Sequence, residues 1–397
     1  MTECHRKDNI WNIFQEFTFT HFMTYIKRYL WEKIEENLKK RKIILIFGAR
    51  QVGKTTLVRE FLSEYAKKNT QYLNGDFSDD QERLGSVSRS MVKQFEKLQL
   101  LVIDEAQSIP QIGMKLKVIH DTLPDIHIIA TGSSSFDLSN KVIEPLTGRN
   151  VTLTMFPFSL GEAASCENSL EDILLYGLYP EVFLCESSQE KRMTIARIAE
   201  SYLFKDVLNI SYIKNPKSLE KLLEILASQI GSEVSFSELA NTLDLDVKTV
   251  MSYVDILEKL FIIFPLYPFA SNVRKSITKK RKYYFYDLGI RNAVLSNFSS
   301  LKGRDDVGAL WENFVILERI KRNRSRGLYP RYFFFRSYKG EEIDFLEQYE
   351  RKLFGFECKF AKNEVQRKIQ NIFTKDLQGE GDITPVHKEN YSEYIQL

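Results

Sequence analysis

The apolar run Lys42–Phe47 passes directly into Gly48-Ala49-Arg50-Gln51-Val52-Gly53-Lys54-Thr55-Thr56, and that loop passes directly into a helical stretch, Leu57–Lys67. A strand, a glycine-bounded loop ending in Lys-Thr and a helix, in that order, make the Walker A arrangement. The glycines let main-chain N–H groups face inward, and the helix start adds a positive partial charge, so the loop suits the phosphates of a nucleotide. Lys54 is placed to reach β- and γ-phosphates, and the Thr55 hydroxyl to bind magnesium. The expected ligand is ATP with Mg.

A loop of this kind needs a parallel sheet behind it. Short apolar segments recur at Gln71–Asp76, Leu98–Ile103, Ile126–Thr131 and Val151–Met155, with polar helical stretches between them. That alternation predicts parallel strands with helices on both faces. The third strand ends in Asp104-Glu105, 50 residues after Lys54. An acidic pair at the carboxyl end of a buried strand lies where such sheets present ligand groups. Asp104 is expected to hold magnesium through water, and Glu105 to activate the attacking water, which favours hydrolysis over kinase chemistry.

The next strand ends in Thr131-Gly132-Ser133, whose small hydroxyl residues suit either a γ-phosphate sensor, with Ser133 as the candidate, or a helix cap. Arg149, in Leu146-Thr-Gly-Arg149, is a candidate arginine finger toward a neighbouring subunit, which would imply a homo-oligomer; the alternative is a structural arginine.

At 397 residues the chain is expected to hold two or three domains. A net charge of +3 excludes any global demand for nucleic acid, so a DNA partner would need a local basic patch. Four cysteines without paired spacing argue against a zinc site or a disulfide framework. No apolar run is long enough to span a bilayer and no signal peptide is evident, so a cytoplasmic protein without membrane association is expected. The expected organisation is an extension at 1–22, an ATPase domain with a helical extension at 23–215, a winged helix at 216–275 and a further α/β domain at 276–397. Met23 is a conceivable alternative start, since a helical pattern, Tyr25–Lys40, follows it.

Phe236–Leu243, a turn at Asp244–Asp246 and Val247–Leu257 carry apolar residues at helical spacing, with Ala240 where two helices cross. This is helix-turn-helix patterning, with Phe261–Phe264 as a wing strand. The second helix offers only Lys248, balanced by Asp255, so packing against protein is as compatible with it as DNA binding. A denser basic run follows, Arg274, Lys275, Lys279, Lys280, Arg281 and Lys282, which suits either nucleic-acid contact or a solvated loop.

Farther on, strands are expected at Tyr332–Arg336, Glu342–Glu347 and Leu353–Phe360. If the second hairpin closes on Glu350-Arg351, Asp344 faces Glu357, Glu342 faces Lys359, Ile343 meets Cys358 and Phe345 meets Phe356. Two carboxylates about 5 Å apart need a positive neighbour. A divalent cation, Mg or Mn, held by Asp344, Glu357 and Glu312 from the helix Val307–Arg324, meets that need, with Lys359 neutralising developing charge at a phosphodiester. The alternative is an exposed sheet face satisfied by bases such as Arg336 and Lys359.

The set Glu312…Asp344…Glu357-Cys-Lys359 resembles the PD-(D/E)XK nuclease core, a restriction-endonuclease-like α/β fold. The chain after Met23 is similar to a prokaryotic AAA-type ATPase family in which the ATPase precedes a winged helix and a nuclease-like domain. The similarity rests on Arg28-Tyr-Leu, the Gly48–Thr56 loop, Ile103-Asp-Glu-Ala-Gln, Thr131-Gly-Ser-Ser, Leu146-Thr-Gly-Arg and Pro157-Phe-Ser-Leu-Gly-Glu162, and downstream on Tyr176-Gly-Leu-Tyr-Pro-Glu181 and Tyr284-Phe-Tyr-Asp287-Leu-Gly289. Lys205 stands where that family usually has Arg before Asp206. The resemblance implies ATP hydrolysis without naming an output. Two outputs stay open: metal-dependent action on DNA, or an ATP-switched binding protein whose C-terminal fold is catalytically inactive.

Overall fold

The structure, a computed structural model, describes residues 25–64, 69–132, 144–164, 168–201, 215–269, 280–362 and 364–395. Ser133, Lys205, Asp206, Arg274, Lys275, Lys279 and the extension at 1–22 lie outside the described residues.

All five strands expected of the first module form: β1 (Ile43–Phe47), β2 (Thr70–Asn74), β3 (Leu100–Asp104), β4 (His127–Gly132) and β5 (Asn150–Thr154). They are parallel, in the order β2-β3-β4-β1-β5. Every residue of β1 and β3 is buried, because side chains alternate between two cores. Ile44, Ile46, Leu100 and Val102 enter one core, with Trp31 and Ile34 of α1 (Leu30–Lys39) and Leu57 and Phe61 of α2 (Lys54–Glu64). Ile43, Leu45, Leu101 and Ile103 enter the other, with Leu116 and Ile119 of α3 (Ile112–Thr122). Each such aliphatic side chain contributes about 2 kcal/mol when fully buried.

The first core does not stop at the edge of this module. It continues through Leu174 of α4 (Leu170–Tyr176), Leu222 of α5 (Pro216–Ser228) and Leu257 to Trp311. Two segments noted in the sequence meet along this seam. Asp287 caps the helix that follows it by accepting from the Ile290 amide at 3.2 Å, and its other carboxylate oxygen accepts from the Leu178 amide at 2.7 Å. Asn292 donates to the carbonyls of Leu174 and Leu175 at 3.0 and 2.9 Å. The stretches around Tyr176 and Asp287 are therefore the two halves of one contact.

Downstream the order is α5, β6 (Glu233–Val234), α6 (Phe236–Leu243), α7 (Val247–Lys259), β7 (Ile263–Pro268) and β8 (Arg281–Phe285). Ser235 and Asp246 start α6 and α7 by accepting amide hydrogens three residues on. Then follow α8 (Leu288–Val294), α9 (Val307–Ser325), β9 (Arg331–Arg336), β10 (Glu342–Tyr349), β11 (Lys352–Cys358) and β12 (Thr384–Val386). The boundary expected at 275/276 separates β7 from β8, yet these strands pair antiparallel, Ile263 with Phe285 and Leu266 with Lys282. β7 also pairs parallel with β9 through Tyr267 and Phe333. One seven-stranded sheet, β12-β11-β10-β9-β7-β8-β6, thus spans both downstream regions. The physical reason is that β7 and β8 are largely buried, so their main-chain groups need sheet partners on both sides. Among the described residues no helix is long and apolar enough to cross a membrane.

Gly177 ends α4 with φ +78°, and a Cβ there would stand 2.0 Å from Asp287 Oδ1. The Gly177→Ala variant is expected to lose about 2–4 kcal/mol of stability, read as a lower urea midpoint. A midpoint unchanged from wild type would remove this contact from the account of the seam.

Candidate functional site

The loop between β1 and α2 has Arg50 and Gln51 exposed at its crest and Ala49, Val52 and Lys54 buried. Gly53 has φ +94°, a left-handed conformation that glycine adopts without strain and that turns the loop into α2. The Lys54 ammonium lies over the loop and donates to the carbonyls of Gly48 and Ala49 at 3.0 and 2.7 Å. Thr55 and Thr56 follow on the first turn of α2, Thr55 half-buried and Thr56 exposed.

Asp104, 1% exposed, gathers three hydroxyl groups. Thr55 Oγ1 and Tyr72 OH donate to its Oδ2 at 2.7 and 2.8 Å, and Thr131 Oγ1 donates to its Oδ1. The Glu105 amide donates back to Thr131 Oγ1 at 3.3 Å. Glu105 itself has φ +47°, unusual for a residue with a side chain, and its carboxylate accepts from Gln107 Nε2. Strand β3 delivers the acidic pair to the carboxyl end of the sheet, next to the loop that follows β1. The Thr55 hydroxyl and the Asp104 carboxylate converge there as hard oxygen ligands suited to magnesium.

Two members of this group went unassigned in the sequence. Tyr72 lies on β2, level with Val102 of β3, and only the strand order brings its hydroxyl to Asp104. Thr131 sits in the segment read as a sensor, but the residue singled out there was Ser133. The usable signal was the hydroxyl at the last inward position of β4.

Arg149 lies elsewhere. Its carbonyl accepts from the Ile43 amide, at the amino end of β1, about 13 Å along the strand from the phosphate loop. Its guanidinium forms a fork with Asp121 at 2.6 and 3.0 Å. The expected role is that of an arginine finger toward a neighbouring subunit; within its own subunit the side chain is paired with Asp121, away from the phosphate loop. Parallel strands send their two ends to opposite edges of the sheet, and Arg149 precedes β5.

Behind the loop lies a buried arginine. Arg28 donates to the Val52 carbonyl at 2.9 Å, the Phe156 carbonyl at 2.5 Å and Glu162 Oε1 at 3.0 Å. Its guanidinium also stacks 4.7 Å from the centre of the Phe158 ring.

The C-terminal carboxylates form a second charged cluster. β10 and β11 pair in the expected register from Phe345–Phe356 to Tyr349–Lys352, closing on Glu350 and Arg351, both with positive φ. Beyond Phe345 the expectation fails. The pairing of β10 with β9 shifts between Ile343 and Leu346, a bulge that groups Ile343 with Leu346 and Phe373 instead of with Cys358. Both faces of β10 are covered, and the bulge lets Asp344 reach the charged cluster while Ile343 stays in apolar surroundings. Asp344 Oδ2 consequently accepts from the Cys358 amide at 2.8 Å.

Lys359 bridges Asp344 and Glu357, at 2.9 Å from each. Glu342, expected opposite Lys359, instead meets Lys282 at 2.5 Å, and Lys282 also meets Glu312 at 3.0 Å. Tyr284 OH donates to Glu312 as well. Burial pushes Glu312 up to about 7 against the pull of Lys282, with the Asp344 charge adding to the rise. Burial and Asp344 likewise raise Glu357. Arg336, considered a neutralising base, pairs with Glu233 instead. Among the described residues no three His, Cys, Asp or Glu side chains are grouped to hold one metal ion. Glu357 Oε2 is buried without a hydrogen-bond partner, an orphaned oxygen that a cation would satisfy.

Three of the six charges of the basic run are described. Lys280 approaches Glu238 at 3.5 Å, Arg281 stacks on Phe236 and Tyr267, and Lys282 is buried in the carboxylate cluster.

Residues 40–164 match the AAA domain. Residues 167–301 match a domain of unknown function (DUF8612), and residues 307–389 match another (DUF4143). The chain is 28% identical to the uncharacterized protein MJ1544 of Methanocaldococcus jannaschii, covering 87% of this chain and 81% of that protein. It is 25% identical to the uncharacterized protein Rv2008c of Mycobacterium tuberculosis, covering 87% and 76%. Among solved structures, the Walker-type ATPase PABY2304 of Pyrococcus abyssi superposes with a TM-score of 0.48 at 14% identity, over 70% of this chain and 97% of that one. The first module is an AAA-type P-loop ATPase domain built to bind ATP.

In that domain Tyr72 donates to the same oxygen of Asp104 as Thr55 does. The Tyr72→Phe variant deletes one hydrogen bond to a carboxylate, worth about 1.5–3 kcal/mol, so ATP turnover is expected to fall at least about tenfold with ATP affinity unchanged. Steady-state turnover and a nucleotide-binding titration read the two quantities separately.

Proposed function

We propose that the chain hydrolyses ATP with magnesium and couples that turnover to a nuclease-like C-terminal site acting on DNA. The observation that carries the ATPase half is the convergence of Lys54, Thr55, Asp104 and Glu105 on one edge of the sheet. On nucleotide binding Lys54 exchanges its two carbonyl partners for β- and γ-phosphate oxygens, and the amides of Gly48–Thr56 take the remaining phosphate charge. Thr55 and Asp104 would hold magnesium, which neutralises charge between those phosphates when bound. Glu105 orients and deprotonates the attacking water.

The DNA half rests on two arrangements. The element order α5, β6, α6, α7, β7, β8, with β6 paired to β8, supports a winged helix in the middle of the chain. The Asp344, Glu357 and Lys359 cluster supports a PD-(D/E)XK-like site, where Asp344 and Glu357 would hold Mg or Mn, a Lewis acid toward a phosphodiester when bound. Lys359 is placed to neutralise charge that develops on that phosphate.

A second reading has its own support: an ATP-switched regulatory protein with an inactive C-terminal fold. Lys359 and Lys282 already neutralise much of the carboxylate cluster. The exposed face of α7 also offers Val247 and Met251, an apolar pair one turn apart that suits a protein surface better than a phosphate backbone.

Lys54→Ala is expected to abolish ATP turnover, and wild-type turnover in that variant refutes the nucleotide assignment. Lys359→Ala is expected to abolish manganese-dependent cleavage of plasmid DNA while ATP turnover stays intact. Intact plasmid with the wild-type protein, with and without ATP, decides for the regulatory reading.

A further inference from the structure

We infer that Lys282 is a built-in cation of the C-terminal site, and that by occupying Glu312 it leaves Asp344 and Glu357 to bind a single divalent ion. The inference rests on the metal-site reading above and narrows it.

The cluster holds four carboxylates, Glu312, Glu342, Asp344 and Glu357, and two ammonium groups, Lys282 and Lys359. They divide into two sets. Lys282 is 3% exposed and lies between Glu312 and Glu342, and Glu312 Oε1 accepts from both Lys282 and Tyr284. That oxygen is fully engaged. Lys359 serves the other pair, and within it Glu357 Oε2 remains buried and unpartnered. The unmet oxygen lies on the Asp344 side of the cluster. Magnesium and manganese commonly use only one or two carboxylates and keep their waters, so a two-carboxylate site is sufficient.

Lys282 comes from β8, the strand that takes up the last two residues of the basic run, and Tyr284, two residues on, projects from the same face of that strand. Both side chains that hold Glu312 are therefore carried by a strand that pairs with β6 and β7 of the middle region. The C-terminal site is assembled from two parts of the chain, and its second cation is a side chain, not a second metal.

The test uses the full-length, nucleotide-free protein titrated with manganese(II), free ion being followed by electron paramagnetic resonance. Ions that Asp344→Asn removes are the ones counted. Wild type is expected to bind one such ion. Glu312→Gln should bind it with a Kd within threefold of wild type, whereas Glu357→Gln should weaken it at least tenfold. Lys282→Gln should release Glu312 and Glu342 and bind the ion at least fivefold more tightly or acquire a second one. If Lys282→Gln does not fold, the comparison of Glu312→Gln with Glu357→Gln decides alone. Equal weakening by those two variants makes Glu312 a ligand and overturns the inference while leaving the metal site standing. A wild-type protein with no ion that Asp344→Asn removes overturns the metal site itself.

Discussion

The frame around the phosphate loop depends on a buried ion pair, Arg28 with Glu162, whose side chains are each 3% exposed. Removing two charges from water costs several kcal/mol each unless their remaining hydrogen-bonding capacity is filled. Here it is filled. Arg28 serves the carbonyls of Val52 and Phe156, and Glu162 accepts from the amides of Tyr29 and Ser159 at 2.8 Å each. The pair joins the approach to α1, the inner wall of the phosphate loop and the segment after β5. Removing one partner would strand the other charge in the interior, so loop geometry and fold stability are tied together at this point.

The same segment is gripped from the far side by α9. The Leu160 amide donates to Glu318 at 2.7 Å, and Lys321 donates to the Phe158 carbonyl at 2.8 Å while pairing with Glu318 at 2.7 Å. Helix α9 also carries Glu312, six residues or about 9 Å earlier along its axis. One helix therefore touches the segment beside the phosphate loop at one turn and the C-terminal carboxylates at another. With the Asp287 contact to Leu178, these buried polar links fix the regions of the chain along the largest of its apolar cores, which runs from the first module to the last helix. Apolar packing alone tolerates sliding, whereas directional contacts in a dry interior permit one docking geometry.

Much of the first module was legible because its signals are local. A parallel strand buried on both faces must be an uninterrupted apolar run, and a phosphate loop must be glycine-bounded between a strand and a helix. The strands expected before Lys54 and Asp104 form within two residues of their expected bounds, and the helix after the loop begins at Lys54, three residues before its expected start. The hairpin closing on Glu350-Arg351 was legible for a similar reason, since a two-residue turn sets the register of adjacent strands. That register held only as far as Phe345. The bulge at Asp344 answers to what covers each face of β10, and covering elements come from distant parts of the chain.

Residue types and their short-range spacing determined the chemistry available to this protein: an ammonium and a hydroxyl on a phosphate loop, an acidic strand end, and a set of carboxylates with a lysine near the C-terminus. Which of these groups meet was decided by tertiary structure. Strand order brought Tyr72 to Asp104, strand direction put Arg149 at the edge of the sheet opposite the phosphate loop, and the β7–β8 pairing placed Lys282 against Glu312. Spacing along a chain sets contacts over a turn or two of local structure. Contacts across 30 or 100 residues depend on how elements stack to bury their apolar faces, and that choice belongs to the whole molecule.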